Sequence, residues 1–132
     1  MSDGIKTAGV HHLGLTVPNV RQTADFFLEA LGFDEVGGNP GYPAIFVSDG
    51  TVMITLWQAD AGAAAFDRRA NCGLHHLALK LADQAMLDRA HSVLAARDDV
   101  EIEFAPQLLR DGPARHMMTF IPGGARVEFF AS

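Results

Sequence analysis

One seven-residue segment occurs twice in this chain. His11-His12-Leu13-Gly14-Leu15-Thr16-Val17 returns 64 positions later as His75-His76-Leu77-Ala78-Leu79-Lys80-Leu81. Four of the seven positions are identical, and the others exchange Gly for Ala, Thr for Lys and Val for Leu. Each copy alternates apolar with less apolar residues, as a strand buried on one face does. Leu13, Leu15 and Val17 share one face of the first copy; Leu77, Leu79 and Leu81 share one face of the second. His12 and His76 stand on the opposite faces with Gly14, Thr16, Ala78 and Lys80. His11 and His75, at the strand starts or on the leucine side, are expected to be packing residues.

The residues after each copy are also alike. Beyond Pro18-Asn19, residues Val20, Ala24, Phe27, Leu28 and Leu31 form one helical stripe, with Asn19 as N-cap and Gly32 as stop. In the second half Asp83 caps a helix with the stripe Met86, Leu87, Ala90 and Leu94, ending near Arg97-Asp98. Three short strands then come in each half. They are expected at Phe33–Val36, Ala44–Ser48 and Val52–Gln58, then at Val100–Phe104, His116–Ile121 and Arg126–Phe130. The alanine-rich Asp60–Asp67 stretch joins the halves. This reads as an α+β chain, one domain over residues 1–132, made of two tandem βαβββ modules at about 8–60 and about 72–131. Each leucine face needs cover from its own helix, which leaves the opposite faces to enclose a pocket.

Alternation along Arg126-Val127-Glu128-Phe129-Phe130 puts Val127 and Phe129 on the helix side and Arg126, Glu128 and Phe130 on the other. Glu128 thereby joins His12 and His76 on the inner faces. Two imidazoles and one carboxylate suit Fe(II), Mn, Ni, Zn or Co and leave coordination positions open for substrate. Only folding brings together residues spaced 64 and 52 apart. His116 shares its side with Met118 and Phe120 and is expected in the same pocket. Arg126 reads either as a partner for a substrate carboxylate or phosphate or as a solvated or ion-paired side chain. The polar loop Asp111–Arg115 is positioned as a lid, and Cys72 reads as a small buried residue.

Composition narrows the partners. The chain has 132 residues, 48% of them hydrophobic and 20% charged, with a formal charge of -6. An acidic balance argues against nucleic acid or an anionic membrane as the main partner. No apolar run reaches the roughly 18 residues of a membrane helix. Met1–Thr7 lacks the apolar region of a signal peptide. One cysteine cannot form an internal disulfide, which fits a reducing cytoplasm. The expected partner is a small molecule.

The residues carrying these patterns are His12 in VHHLGLTV, His76 in GLHHLALKL and Glu128 in PGGARVEFF. From about Val10 to Phe130 the chain resembles the vicinal oxygen chelate superfamily, which includes glyoxalase I, bleomycin- and fosfomycin-resistance proteins and extradiol dioxygenases. The resemblance implies curved mixed sheets in a half-open barrel around a pocket, metal ligands from the first and fourth strand of each module, and a homodimer. Site completion within one chain and across a two-fold dimer are both open. The fourth-strand position of module one falls at Thr55, where glyoxalase I has Glu, flanked on the same face by Met53 and Trp57. Trp57 suits stacking on a flat substrate. The remaining His12, His76, Glu128 set is the one extradiol dioxygenases use, but no Tyr lies in Met117–Val127, where those enzymes carry one. Ile121 also stands before Pro122 where many relatives have Asp. The expected function is a metal-dependent glyoxalase-like lyase or isomerase, with Glu128 catalytic, acting on a small molecule with vicinal oxygens. An extradiol-type ring-cleaving dioxygenase and a non-catalytic protein of the bleomycin-resistance type are the alternatives.

Overall fold

A computed structural model describes residues 4–132. The first copy of the repeat forms β1 (Leu13–Val17), followed by α1 (Val20–Leu31), β2 (Asp34–Asn39), β3 (Ala44–Ser48) and β4 (Met53–Gln58). The second forms β5 (Leu77–Lys80), followed by α2 (Gln84–Ala95), β6 (Glu101–Leu108), β7 (Arg115–Phe120) and β8 (Arg126–Ala131). The two modules repeat the same topology. Their sheets have the orders β1-β4-β3-β2 and β5-β8-β7-β6, with the first and fourth strands parallel in each. The sheets stay separate and do not close into a barrel, so among the described residues β1 and β5 each keep an unpaired edge.

Local chemistry sets the helix ends. Asn19 Oδ1 accepts from Gln22 N at 3.0 Å, and Asp83 Oδ1 accepts from Met86 N at 2.8 Å, so each N-cap satisfies a backbone donor the helix leaves free. Gly32 takes the left-handed conformation that ends α1. Gln58 ties the end of β4 to the turn before α1, accepting from Val20 N and donating to the Pro18 carbonyl.

The helix-side faces fill one core. Leu15, Val17, Ile54, Leu56, Leu87, Leu94, Met117, Val127 and Phe129 are all buried in it, so it draws on both modules. Phe26 and Phe27 are wholly buried, and truncating either to Ala costs about 3–5 kcal/mol by loss of burial plus the cavity left behind. Phe26 and Thr23 lie outside the apolar stripe expected for α1, yet both are buried because α1 also packs on module two. Thr23 Oγ1 donates to the Pro122 carbonyl at 3.0 Å, and the Arg97 guanidinium lies 5.4 Å over the Phe26 ring while pairing with Glu29. Gly123 stands at this seam with a φ of 101°. A Cβ there would fall 2.7 Å from Thr23 Oγ1, so only glycine fits both the conformation and the space.

Some expected boundaries move. β2 runs through Gly37, Gly38 and Asn39, which read as a turn, because a bulge between Glu35 and Gly37 and an open sheet edge accommodate the glycines. β6 extends to Leu108 past Pro106, which an edge strand tolerates. α2 stops at Ala95, two residues before Arg97, and Met86 of its expected stripe is 44% exposed while Leu87 and Leu94 are fully covered. Cys72 is exposed rather than buried. Among the described residues, no helix is long and apolar enough to cross a membrane.

Candidate functional site

The inner face of module two gathers charge. Strand register sets Ala78 of β5 and Met118 of β7 on either side of Glu128 in β8. Glu128 Oε1 lies 3.1 Å from His76 Nε2, and its Oε2 lies 2.6 Å from His116 Nδ1. The carboxylate, at 13% side-chain exposure, is therefore gripped from both sides by imidazoles. Its two oxygens are separately engaged, which fixes the plane of the group. Phe104 meets the His116 ring edge-on at 4.9 Å and holds it in place.

A second cluster adjoins the first. Arg126 Nε and Nη2 each contact Glu103 at 2.8 Å, a two-pronged ion pair that holds the Glu103 carboxyl below its usual range. Arg68, from the segment between modules, approaches Glu103 at 3.9 Å and lies 5.8 Å over the Phe120 ring. Of the two readings of Arg126, partner of a substrate anion or ion-paired side chain, the structure takes the second: Glu103 already neutralises it. The pairing was hidden by a register shift in β6 between Ile102 and Phe104. That bulge lets successive residues serve the same face, with Glu103 reaching Arg126 and Phe104 reaching His116.

Module one presents the corresponding face without a charged cluster around its fourth-strand position. In β1 and β4, Gly14 pairs with Thr55 as Ala78 pairs with Glu128 in module two. Thr55 is 3% exposed, and its Oγ1 accepts from Trp57 Nε1 at 2.9 Å. A Cβ on Gly14 would come within 3.2 Å of that hydroxyl, so glycine lets the two side chains nest against β1. Trp57 meets the Tyr42 ring at 5.3 Å and the Phe46 ring at 5.7 Å, forming an aromatic wall. Met53 opens β4 on the same side, half-buried. Neither Tyr42 nor Phe46 stood out in the sequence. Their contacts depend on β3 lying beside β4, a pairing that alternation alone does not specify.

His12 precedes β1 on this module and is exposed. Its Nδ1 lies 2.8 Å from His11 Nδ1, and the same atoms of His75 and His76 are also 2.8 Å apart. His11 and His75 are exposed and engaged with their neighbours instead of packing with the leucines. Partial loss of solvent, the largest cause, together with the neighbouring Arg126, His76 and Arg68, pushes His75 below the usual imidazole range. The structure thus brings His76, His116 and Glu128 together, with Arg126 beside them, and carries His12, Met53, Thr55 and Trp57 on the other sheet. Among the described residues, no group of three or more His, Cys, Asp or Glu is arranged to hold a metal ion.

Between the modules, beneath the joining segment, lies a cleft of about 1180 Å³ bordered by Pro18, Arg68, His75, Phe120 and Arg126. The loop expected as a lid is held elsewhere. Gln84 Nε2 donates to the Pro113 carbonyl at 3.2 Å and Arg115 pairs with Asp88 at 3.1 Å, which fastens residues 111–115 against the start of α2.

Comparison with known proteins agrees with this architecture. A 2-epi-5-epi-valiolone epimerase from Actinomyces is 27% identical to the chain, over 90% of this chain and 76% of its own length. A glyoxylase/bleomycin resistance protein/dioxygenase domain from Frankia superposes with a TM-score of 0.83 at 22% identity, covering 96% of this chain and 99% of that one. The fosfomycin resistance protein FosX of Listeria monocytogenes gives a TM-score of 0.76 at 16% identity, covering 96% and 95%. The sequence profile that matches residues 9–129, nearly the whole chain, completes the assignment: this protein belongs to the Glyoxalase/Bleomycin resistance protein/Dioxygenase superfamily.

Proposed function

We propose that this chain is a metal-dependent lyase or isomerase acting on a small molecule with vicinal oxygens, through His12, His76 and Glu128. One observation carries the reading: the Glu128 carboxylate lies on the inner face between His76 Nε2 at 3.1 Å and His116 Nδ1 at 2.6 Å. The donor chemistry fits a divalent cation of the Fe, Mn, Ni, Zn or Co type, since neutral imidazole nitrogen and carboxylate oxygen are its preferred ligands. His76, just before β5, and Glu128 of the neighbouring β8 supply two such donors. Once bound, such an ion stabilises negative charge developing on a substrate oxygen.

The chain's own groups do the rest. Glu128 would act as the base by letting Oε1 move from the cation to the substrate, taking a proton from the carbon next to a carbonyl and giving it back to the substrate, while His116 keeps Oε2 in place. Trp57, on the sheet that follows His12, offers a substrate an aromatic face. The relative named as an epimerase lends direction, because inverting a stereocentre by removing and returning a proton needs a base beside that carbon, a role Glu128 is placed to fill. The exposed, unpaired Cys72 thiol suits a reducing cytoplasm.

His12 reaches the site as part of a homodimer, donated by one copy to His76 and Glu128 of the other. The unpaired edges of β1 and β5 support this, as do exposed apolar residues just before each histidine pair, Val10 at 82% and Leu74 at 38%. Elemental analysis of the purified protein is the first test. Bound Ni, Zn or Mn with turnover of 2-epi-5-epi-valiolone or of a glutathione hemithioacetal supports the lyase or isomerase. Absence of any metal, with tight apolar ligand binding, overturns it in favour of a binding protein. One observation favours a second reading: with the Thr55 hydroxyl held by Trp57, two histidines and one Glu remain, the set of a ring-cleaving dioxygenase. Bound iron and oxygen uptake on catechol would establish that instead.

A further inference from the structure

In both modules the imidazole proposed to face the ion is held from behind by the histidine that precedes it. His11 Nδ1 and His12 Nδ1 are 2.8 Å apart, as are His75 Nδ1 and His76 Nδ1. The rings meet edge-to-face in each pair, with centroids 5.1 Å and 5.0 Å apart. The same atoms meet at the same distance on two sheets whose inner faces are otherwise unlike, one aromatic and one charged. The contact therefore belongs to the repeated His-His unit and not to its surroundings. We propose that His11 and His75 are positioning residues that fix the ring orientation and tautomer of His12 and His76, an inference that rests on the metal-dependent function proposed for the site.

Proton counting shows how the pair works. A neutral imidazole has one N–H and one lone pair, so a hydrogen bond between two Nδ1 atoms needs a single proton between them. With that proton on His76, its Nε2 keeps a lone pair directed to the inner face, the form in which histidine ligates a cation. With the proton on His75, His76 carries its own on Nε2 and donates to Glu128 Oε1, 3.1 Å away. Both rings are neutral in each state, the first with the second proton on His75 Nε2. Exchange from the first to the second moves the Nδ1 proton across the bond while solvent takes a proton from His75 Nε2 and returns one to His76 Nε2. Ligating histidines ordinarily lean on a carboxylate or a backbone carbonyl through the ring nitrogen that faces away from the metal. Here a second imidazole fills that place, so orientation comes without an added negative charge. His12 has the same support on module one, although no carboxylate faces it there.

The test compares the full-length wild type with His11→Ala, His11→Asn, His75→Ala and His75→Asn. Zinc affinity is measured by titration calorimetry and folding by thermal denaturation. Asn places an amide where the imidazole Nδ1 stood, so it preserves the hydrogen bond without the ring. Each Ala variant is expected to bind zinc about 10–100-fold more weakly at an unchanged Tm, with each Asn variant recovering most of the loss. Nitrogen-detected imidazole spectra of the zinc-loaded wild type should show His12 and His76 protonated at Nδ1 and unprotonated, with the shift of a metal-ligated nitrogen, at Nε2. Ala variants with wild-type affinity overturn the proposal, and so do Asn variants as weak as the Ala ones. A wild type that takes up no zinc or other divalent metal overturns the metal reading and this inference together. Normal zinc binding that His11 and His75 do not affect overturns the inference alone.

Discussion

The inner faces of the two modules differ far more than their backbones do. Equivalent strand pairs place Thr55 opposite Gly14 in module one and Glu128 opposite Ala78 in module two. At the first position a hydroxyl is covered and bonded to Trp57; at the second a carboxylate is gripped by two histidines. A duplicated scaffold has kept its topology, its N-caps and its His-His units while one face became an aromatic wall and the other a charged cluster. The fold is thus specified by the helix-side residues, and chemistry varies on the opposite side of the same strands.

Substitution at the charged cluster should break this comparison most sharply. Glu128→Ala, or His76→Ala, is expected to abolish metal uptake, measured by elemental analysis after dialysis. Retained metal in both variants would sink the proposed site. Mixing His12→Ala with Glu128→Ala under conditions of subunit exchange should restore uptake in part, because a mixed dimer contains one intact site. No recovery would place the site within a single chain. His116→Ala should lower metal affinity about 10–100-fold by releasing one oxygen of the carboxylate, as loss of groups supporting a ligand typically does. Calorimetric titration reads that change.

Module one should answer in stability instead. Thr55→Val leaves the part-buried Trp57 N–H without its acceptor and should cost about 1–3 kcal/mol in chemical denaturation while metal uptake stays unchanged. The smallest effect concerns the seam between modules. Hydrogen bonds from Arg97, chiefly, hold the Asp99 carboxyl below its ordinary range. A lowered folded-state value means the unfolded chain binds the proton more readily. The contribution is therefore complete above the ordinary Asp range and fades as pH falls through the lowered value. Arg97→Ala should flatten that acid limb of the stability profile; an unaltered limb would show that the pair contributes nothing.

Most of the fold was legible in the sequence because burial imposes periodicity. The repeat, both helix caps and the six strands after the helices come from alternation, stripes and turn residues, with ends shifted by a few positions. Inner-face residues were legible as members of a face but not as partners. The partner of Arg126 is not defined until the β6 bulge delivers Glu103, nor are the neighbours of Trp57 until β3 supplies Phe46. Register shifts and neighbouring strands decide such contacts, and neither leaves a mark in local spacing. The exposure of His11 and His75 was missed for a related reason: both precede the first residue of their strand, where alternation no longer governs direction.

The seam at Thr23, Pro122 and Gly123 has a consequence for how the repeat behaves. Because that contact and the shared core join the modules, neither half owns its stability. Melting should proceed as a single transition, and an isolated half would leave the side of α1 that carries Thr23 and Phe26 uncovered. Such joint cooperativity gives one module latitude. The desolvation of Glu128 and its histidines on one sheet is offset by hydrophobic burial to which the other contributes, so the site was free to diverge without the fold diverging with it.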